Sequence, residues 1–256
     1  MRIAMRKLLP SVVTVLGFIV AWELFVILTK QPTYMVPPFH KILVTMYERS
    51  AVLLPAAQVT LLEMLSGFSV GTAAGLLVGT AIHFSPLLRS GLLPVVIGSQ
   101  AIPIIAIAPI LIIWFGFGMA PKIIVVSLIT FFPVALNTVA GLASVDRDQV
   151  RLMDAFGATQ RQTYTMVYVP AALPFVFAGL KNAATISAIG AIVGEWVGAT
   201  DGLGPVMISA IAGFQTTLVF AAIFYLAGMA ISMFVLVAIA EHIVMPWYFI
   251  DKAKSE

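Results

Sequence analysis

The sequence predicts an all-α membrane protein with about six transmembrane helices and both termini on the cytoplasmic side. Of its 256 residues, 61% are hydrophobic and only 10% are charged, and the mean hydropathy is +1.07. A soluble domain carries roughly 25% charged residues, so this chain cannot cover a water-facing surface. The apolar residues also form stretches long enough to cross a bilayer, and one polar segment, residues 144–170, interrupts them.

A transmembrane helix needs about 20 mostly apolar residues. The first candidate span has the basic start of a signal peptide. However, its apolar stretch is longer than that of a typical signal peptide and no small-residue cleavage site follows, so we expect this span to be retained. Residues 37–54 have mixed polarity and begin with Pro-Pro, which favours a short interfacial helix. We treat residues 1–256 as a single transmembrane domain. Its predicted spans are 8–29, 58–82, 92–116, 121–143, 171–197 and 217–245.

The distribution of basic residues selects the orientation. With the N-terminus inside, nine Lys and Arg residues fall on the inner side and four on the outer side, which follows the positive-inside rule. Residues 144–170 are then cytoplasmic, and the small net charge of +3 gives no reason to expect nucleic acid as a partner. The inner residues are Arg2, Arg6, Lys7, Arg89, Arg147, Arg151, Arg161, Lys252 and Lys254; the outer ones are Lys30, Lys41, Arg49 and Lys122.

Glycine and proline residues predict how the spans pack. Glycines recur every fourth position in the second and fifth spans, which favours close helix packing inside the bundle over a subunit interface. Three prolines should kink the third span, where freed carbonyls could line a cavity. The ladders are Gly67, Gly71, Gly75 and Gly79, then Gly190, Gly194, Gly198 and Gly202; the prolines are Pro94, Pro103 and Pro109.

Polar residues inside the spans are candidates for a pathway. Gln100, Asn137, Asn182 and Thr185 could line it, or could equally hydrogen-bond between helices. Ionisable residues within spans are functional candidates because burying them is costly. We expect packing or interfacial roles for most of them. Beside Trp196 and a glycine-rich turn, Glu195 could instead belong to an outer gate or to a docking face for a binding protein. The other ionisable residues are Glu23, Glu63, Lys181 and Glu241.

Residues 144–170 carry the capping signals of an ordered helical loop. Asp146 followed by Gln149 predicts an N-cap, Gly157 predicts the C-terminal stop of that helix, and Thr159 with Gln162 repeats the capping box. The second helix should end before Pro170, because the residue preceding a proline disfavours helix. The corner would present Ala155, Phe156, Ala158 and Gln160, an apolar knob suited to a groove on another protein.

This loop resembles the cytoplasmic coupling loop of binding-protein-dependent ABC importer permeases, the EAA loop. The family pattern places nine residues between its glycine and an aliphatic-x-aliphatic-Pro segment; here these are Gly157 and Val167 to Pro170. The Glu-Ala-Ala positions hold Arg151, Leu152 and Met153 instead, and the nearest acid followed by alanine is Asp154. The resemblance implies that residues of this loop contact the ATPase. They are Arg151, Asp154, Ala155, Phe156, Gly157, Ala158, Gln160, Arg161, Val167, Val169 and Pro170.

Other segments are similar to the nitrate/sulfonate/taurine branch of this family. They are segments 100–118, 170–181 and 194–204. Two stretches look closest to permeases for the thiamine pyrimidine precursor and related vitamins, namely Ile-Ile-Trp-Phe-Gly and Val-Gly-Glu-Trp-Val-Gly. The resemblance implies a type I ABC importer transmembrane fold in the bacterial inner membrane and a small imported solute. This would be a vitamin precursor, or otherwise a sulfonate, taurine or nitrate. Its implied partners are two ATPase subunits, an extracytoplasmic binding protein and a second permease chain.

The residues by themselves exclude several other functions. There is no Gly-Lys dipeptide and hence no P-loop, so any ATP hydrolysis belongs to a separate chain. The absence of cysteine and the wide spacing of three histidines predict no metal site and no cofactor. The alternative is a stand-alone secondary transporter or channel, which predicts matching broken helices in two repeats; no such symmetry is visible, and the polar loop would be unexplained.

Overall fold

The computed structural model describes the backbone of residues 2–248 and the side chains of residues 10 and 12–248. Every regular element in the described range is helical: α1 (Arg2–Thr29), α2 (Phe39–Glu48), α3 (Ser50–Phe84), α4 (Pro86–Ser99), α5 (Ile104–Phe115), α6 (Met119–Ala143), α7 (Arg147–Ala155), α8 (Gln160–Thr163), α9 (Val169–Trp196), α10 (Leu203–Ala212) and α11 (Thr216–Val244). Five basic residues used to predict the orientation, Arg2, Arg6, Lys7, Lys252 and Lys254, have side chains outside this range.

Within residues 2–248, five helical segments are long and apolar enough to cross a membrane, and a bent helix pair brings the number to as many as six. This confirms the all-α chain with about six spans. Helix α2 lies where the short interfacial helix was predicted, although the last residues of that segment already belong to α3. The segments are Val12–Thr29, Ser50–Phe84, Met119–Ala143, Gln160–Trp196 and Thr216–Val244, with α4 and α5 as the pair.

The predicted span 92–116 is wrong as a single kinked helix. It is divided between α4 and α5, whose axes differ by 98° across the break at residues 100–103. Pro103 has an extended backbone (φ −62°, ψ 115°) and no N–H to continue the ladder. Pro94 and Pro109 remain inside helices. Helix α10 was not predicted either, because its 10 residues are too few to cross a bilayer.

Helix α6 packs between α3 and α9, and the first glycine ladder and Gly190 and Gly194 of the second lie in these contacts. Gly198 instead packs against Phe117 and Ile112, and Gly202 against Glu195. A Cβ on Gly75 would lie 2.9 Å from Val134 Cβ, and one on Gly79 would lie 2.7 Å from the Ala135 carbonyl. From the other side, a Cβ on Gly190 would lie 3.0 Å from Val126 Cα. No side chain larger than hydrogen fits these positions without a shift of backbone. The interpretation of the ladders as internal packing is therefore confirmed.

Three contacts hold the outer helices of the bundle. Lys181 of α9 forms an ion pair of 2.8 Å with Glu241 of α11. Helix α1 lies at the periphery, because only 6% of its apolar segment Val12–Thr29 is buried. It is attached through Trp22, whose ring N–H donates to the Pro37 carbonyl, and through Glu23, which accepts from the Phe39 N–H. Both Glu23 and Glu241 thus have packing roles, as expected.

Candidate functional site

The cytoplasmic loop folds as two helices that meet at Gly157. Asp146 is the N-cap of α7, as predicted, but it accepts from the Asp148 N–H (2.9 Å) and no capping box with Gln149 forms. At the other end Gly157 has φ +72°. Its N–H donates to the Asp154 carbonyl, and the Ala158 N–H donates to the Met153 carbonyl. These two bonds are the Schellman ending of a helix, which requires a left-handed residue and so explains the glycine.

The second helix begins at a capping box that the sequence predicted. The Thr159 hydroxyl accepts from the Gln162 N–H, and the Gln162 side chain accepts from the Thr159 N–H (2.7 Å). The prediction that this helix ends before Pro170 is wrong. A π-helical turn, Tyr164–Tyr168, joins α8 to α9, so the helix continues from the corner into the membrane. Pro170 is the second residue of α9 and follows this π-helical turn directly.

The corner presents an apolar side chain to the outside of the fold. Phe156 is 81% exposed, and Leu152, one turn earlier on α7, is 58% exposed. Arg151 pairs with Asp148 (3.1 Å), but both side chains are so exposed that the pair adds little stability. Of the other predicted contact residues, Asp154, Ala155, Gly157, Gln160 and Arg161 are exposed, whereas Ala158, Val167, Val169 and Pro170 are partly buried.

Four rings connect the corner to the cytoplasmic end of α3. Phe84 lies edge-to-face with Tyr164 (5.7 Å between centroids) and with Tyr168 (5.4 Å). His83 also contacts Tyr168, at 5.4 Å. Edge-to-face pairs contribute about 0.5–1.5 kcal/mol each beyond their area. The loop is therefore joined to α9 by continuous helix and to α3 by these ring contacts.

A cavity of about 770 Å³ lies beside the break between α4 and α5. Gln100 from the break, Asn137 from α6 and Asn182 from α9 contribute amide groups to its wall, and Phe131 and Phe132 contribute rings. Gly179 lets α9 approach here, because a Cβ on it would lie 2.9 Å from Asn137 Cβ. The break thus leaves a space beside α6 and α9 that has polar groups and is large enough for a small ligand.

The other three predicted pathway residues lie elsewhere. Thr185 donates to the Lys181 carbonyl of its own helix (3.0 Å). Trp196 lines an apolar groove between α9 and α11. Glu195 is fully buried, so its carboxylate does not form part of an exposed docking face. The structure therefore brings together half of the predicted pathway set, namely Gln100, Asn137 and Asn182.

Instead, Glu195 holds the start of α10. One carboxylate oxygen accepts from the Thr60 hydroxyl (2.6 Å) and the other from the Gly204 N–H. Thr60 in turn accepts from the Leu203 N–H (2.9 Å). A carboxylate at a helix N-terminus pairs with its unsatisfied N–H groups and its dipole. Gly202 has φ +116°, and a Cβ there would overlap the Glu195 carboxylate.

Sequence reasoning missed a second buried contact close to it. Lys122, counted as an outer-loop residue, lies inside α6 with 6% exposure. Its ammonium group pairs with Glu63 of α3 (2.8 Å) and lies 3.4 Å from the Asp201 carbonyl. The signal was present, because Lys122 and Glu63 both fall near the outer ends of predicted spans, where an acid and a base need each other. Together with Glu195, these residues tie α3, α6, α9 and α10 at one end of the bundle.

Lys122→Met should destabilise the protein strongly. Removing one partner of a buried ion pair leaves the other charge uncompensated, at a cost of about 3–5 kcal/mol. We expect a fall of several degrees in the thermal unfolding midpoint of the detergent-solubilised protein. The double variant Lys122→Met with Glu63→Leu removes both charges and should recover much of the loss. A double variant no more stable than the single one would contradict this account of the pair.

Comparison with known proteins identifies the family. Residues 71–244, more than half of the chain, match the family described as "Binding-protein-dependent transport system inner membrane component". The formylaminopyrimidine transport permease protein ThiX of Halalkalibacterium halodurans is 33% identical over 91% of this chain and 93% of its own. The taurine transport system permease protein TauC of Escherichia coli is 32% identical over 68% of this chain and 63% of its own.

A solved structure supports the fold. The methionine ABC transporter MetNI in inward-facing conformations contains a chain that matches 78% of this one and 97% of its own length, with a TM-score of 0.64 and 19% identity. Together with the apolar helices, these matches make the protein a multi-pass protein of the bacterial plasma membrane with the type I ABC importer fold. The chain belongs to the binding-protein-dependent transport family and is an inner-membrane permease of an ABC importer.

Proposed function

We propose that this chain pairs with a second copy of itself and with two ATPase subunits to import a small solute that an extracytoplasmic binding protein delivers. The observation that carries the proposal is the corner at Gly157. A capped, ordered turn that holds Phe156 81% exposed has no purpose within the chain itself. It suits a groove on a soluble partner.

Coupling follows from how the corner is connected. The sequence has no P-loop, so the energy of ATP binding must arrive through contacts with a separate subunit. A docked motor that closes on ATP displaces Phe156. The continuous helix from Gln160 to Trp196 carries that displacement into the bundle, and the rings of Phe84, Tyr164 and Tyr168 carry it to α3. In this proposal the bundle then turns from inward-open to outward-open.

One corner per chain also supports the proposed stoichiometry. A dimeric motor has two equivalent grooves, and each needs one corner. A two-fold pair of identical permease chains satisfies both grooves with one kind of contact, and closed two-fold symmetry is the commonest arrangement of oligomers. The cavity beside the α4–α5 break would then be part of the solute pathway.

For the solute, the proposal favours a heteroaromatic vitamin precursor such as the thiamine pyrimidine. Of the two relatives described, the one named for formylaminopyrimidine matches this chain over 91% of its length, and the one named for taurine matches over 68%. Sulfonate, taurine or nitrate remains the second candidate. The binding protein of the system supplies a direct check, since its ligand is the solute delivered.

Phe156→Asp should prevent the permease from retaining its ATPase. The substitution places a solvated carboxylate where an apolar side chain would be buried, and replacing an interface anchor in this way costs about 2–4 kcal/mol of binding free energy. The measurement is copurification of the ATPase subunits encoded with this chain, using tagged permease after gentle solubilisation. We expect at least a tenfold loss of retained ATPase.

Phe214→Asp is the matched control. Phe214 is 79% exposed, similar to Phe156, but it lies in the turn between α10 and α11 at the other end of α9. Its variant should retain the ATPase fully. Equal loss in both variants would show a general effect of exposed charge. Full retention by Phe156→Asp would remove the corner from the interface and weaken the proposal that it couples the motor.

A further inference from the structure

The wall of the cavity beside the α4–α5 break carries no charged side chain among the described residues that line it. Its polar groups are all neutral: the amides of Gln100, Asn137 and Asn182 and the hydroxyl of Ser99. The remaining lining residues are aliphatic, aromatic or proline. In a space with a mostly apolar wall, this composition decides which solutes can enter, because a low dielectric makes an uncompensated charge costly.

The lysines of α6 and α9, the two long helices that line the cavity, cannot compensate a charge there. Lys181 directly precedes Asn182, but its ammonium group contacts both carboxylate oxygens of Glu241, at 3.0 and 2.8 Å. Lys122 is buried against Glu63 at the outer end of the bundle. Neither of these cations lines the cavity. An anion in this space would have no cation as a partner, and only amide and hydroxyl dipoles and the uncapped N-terminus of α5 at Ile104 would replace its water. Proteins normally bind sulfonate-like or phosphate-like anions with Arg or Lys.

The amides offer complementary hydrogen bonds to a neutral ligand. Asn137 uses one N–H on the Pro133 carbonyl (2.7 Å), which leaves its second N–H and its carbonyl oxygen available. The side chains of Asn182 and Gln100 have no hydrogen bond to another described residue, and both are exposed in the chain. A side-chain amide presents donors and an acceptor together. Ring nitrogens and exocyclic amino or hydroxyl groups of a heterocycle match that pattern.

Two rings complete the site. Phe131 and Phe132 line the same wall, with their centroids 5.2 Å apart and their planes at 72°. Aromatic side chains favour contact with flat π systems in stacked or edge-to-face arrangements. A volume of about 770 Å³ lies within the usual range of small-molecule sites and accommodates one or two rings.

We infer that this cavity is a solute-binding subsite that takes an uncharged, planar nitrogen heterocycle and disfavours anions, with Asn137 and Asn182 as its specificity-determining residues. The inference rests on the proposed import function and deepens it by assigning the class of solute to named side chains. The selection is made by the permease itself, after release from any binding protein.

Binding of two probes to the full-length permease in nanodiscs tests the inference without ATPase or binding protein. The probes are a hydroxymethyl-aminopyrimidine, which is neutral and planar, and ethanesulfonate, a small anion. We expect saturable binding of the pyrimidine in equilibrium dialysis and at least tenfold weaker binding of the sulfonate. Asn182→Ala should weaken pyrimidine binding about tenfold, as expected for the loss of a hydrogen bond inside an apolar site.

Two further variants sharpen the test. Thr185→Ala is the matched control, because Thr185 lies one turn along α9 and outside the cavity wall; its pyrimidine affinity should not change. Asn182→Lys adds the missing cation and should gain sulfonate binding while losing pyrimidine binding. Binding of ethanesulfonate by the unmodified chain as tight as that of the pyrimidine, or no binding of either probe, overturns the assigned class. So does unchanged pyrimidine affinity in Asn182→Ala.

The proposed import function has a separate readout. ATP-dependent uptake by the complete assembly, with its own binding protein, depends on the corner at Gly157 and not on which solute the cavity prefers. If that assembly imports a sulfonate while the nanodisc permease fails to bind the pyrimidine, the solute class is wrong and the import function stands. If the pyrimidine binds but no ATPase ever associates, the subsite stands and the import function fails.

Discussion

Gly157→Val is expected to abolish ATP-driven uptake while leaving the bundle folded. Gly157 has φ +72°, in the left-handed region that a β-branched side chain resists, at a cost of about 1–2 kcal/mol or more. No atom of a described residue lies within 4 Å of a Cβ placed there, so the chain is free to relieve the strain by changing the angle of the corner. The new angle moves Phe156 out of register with its partner. We expect uptake into proteoliposomes containing the complete importer to fall more than tenfold.

Gly157→Asn provides the comparison. Asparagine adopts the left-handed conformation more readily than other residues with a side chain, so this variant should keep at least half of the uptake. The thermal unfolding midpoint of both purified permeases should stay within a few degrees of the unmodified protein. Normal uptake by Gly157→Val would refute the role of this corner in coupling. An equal loss in both variants would point to the extra bulk rather than to the backbone angle.

Gly71→Leu should prevent assembly of the bundle. A Cβ at Gly71 would already overlap the Thr130 hydroxyl and lie 2.5 Å from the Ser127 carbonyl. The carbonyl belongs to the backbone of α6 and cannot rotate away, so α3 and α6 must separate. Overpacking of a well-packed interior costs about 1–3 kcal/mol, and we expect more here because two whole helices are displaced. Size-exclusion chromatography of the solubilised fluorescent fusion should show aggregate in place of a single peak.

Gly228→Leu serves as the control for this substitution. Gly228 lies within α11, and a Cβ added to it would have no atom of residues 12–248 within 4 Å. Replacing a helical glycine by a better helix former at an open site is neutral or stabilising. This variant should therefore elute as the unmodified protein does. A single sharp peak from Gly71→Leu would mean that α3 and α6 do not pack closely at this position.

The cytoplasmic loop was predicted best because its structure depends on neighbours in the sequence. The N-cap at Asp146, the stop at Gly157 and the capping box of Thr159 with Gln162 are each determined within a few residues. The prediction that the helix ends before Pro170 was wrong for a local reason too. A π-helical turn accommodates the proline after it, and a turn this rare has no sequence signal strong enough to predict.

The pathway prediction was weaker because it concerned residues far apart in the chain. Asn137 and Asn182 share a cavity with Gln100, whereas Thr185, one turn along the same helix, does not. Periodicity assigns a residue to a face of a helix, but not to the neighbour that the face meets. Whether polar side chains meet in a space or pair across a helix contact depends on that neighbour.

The sequence alone determined that this chain is a membrane protein with apolar helices, a polar helical corner and close packing at glycine ladders. Each of these follows from composition, periodicity or short-range hydrogen bonding. Only the tertiary structure decided that residues 92–116 form two helices at 98°, that Lys122 lies buried against Glu63, and that Glu195 caps α10. The reason is that a buried charge or an unpaired N–H must find a partner, and the partner nearest in space can be distant along the chain, as Glu63 is from Lys122 at a separation of 59 residues.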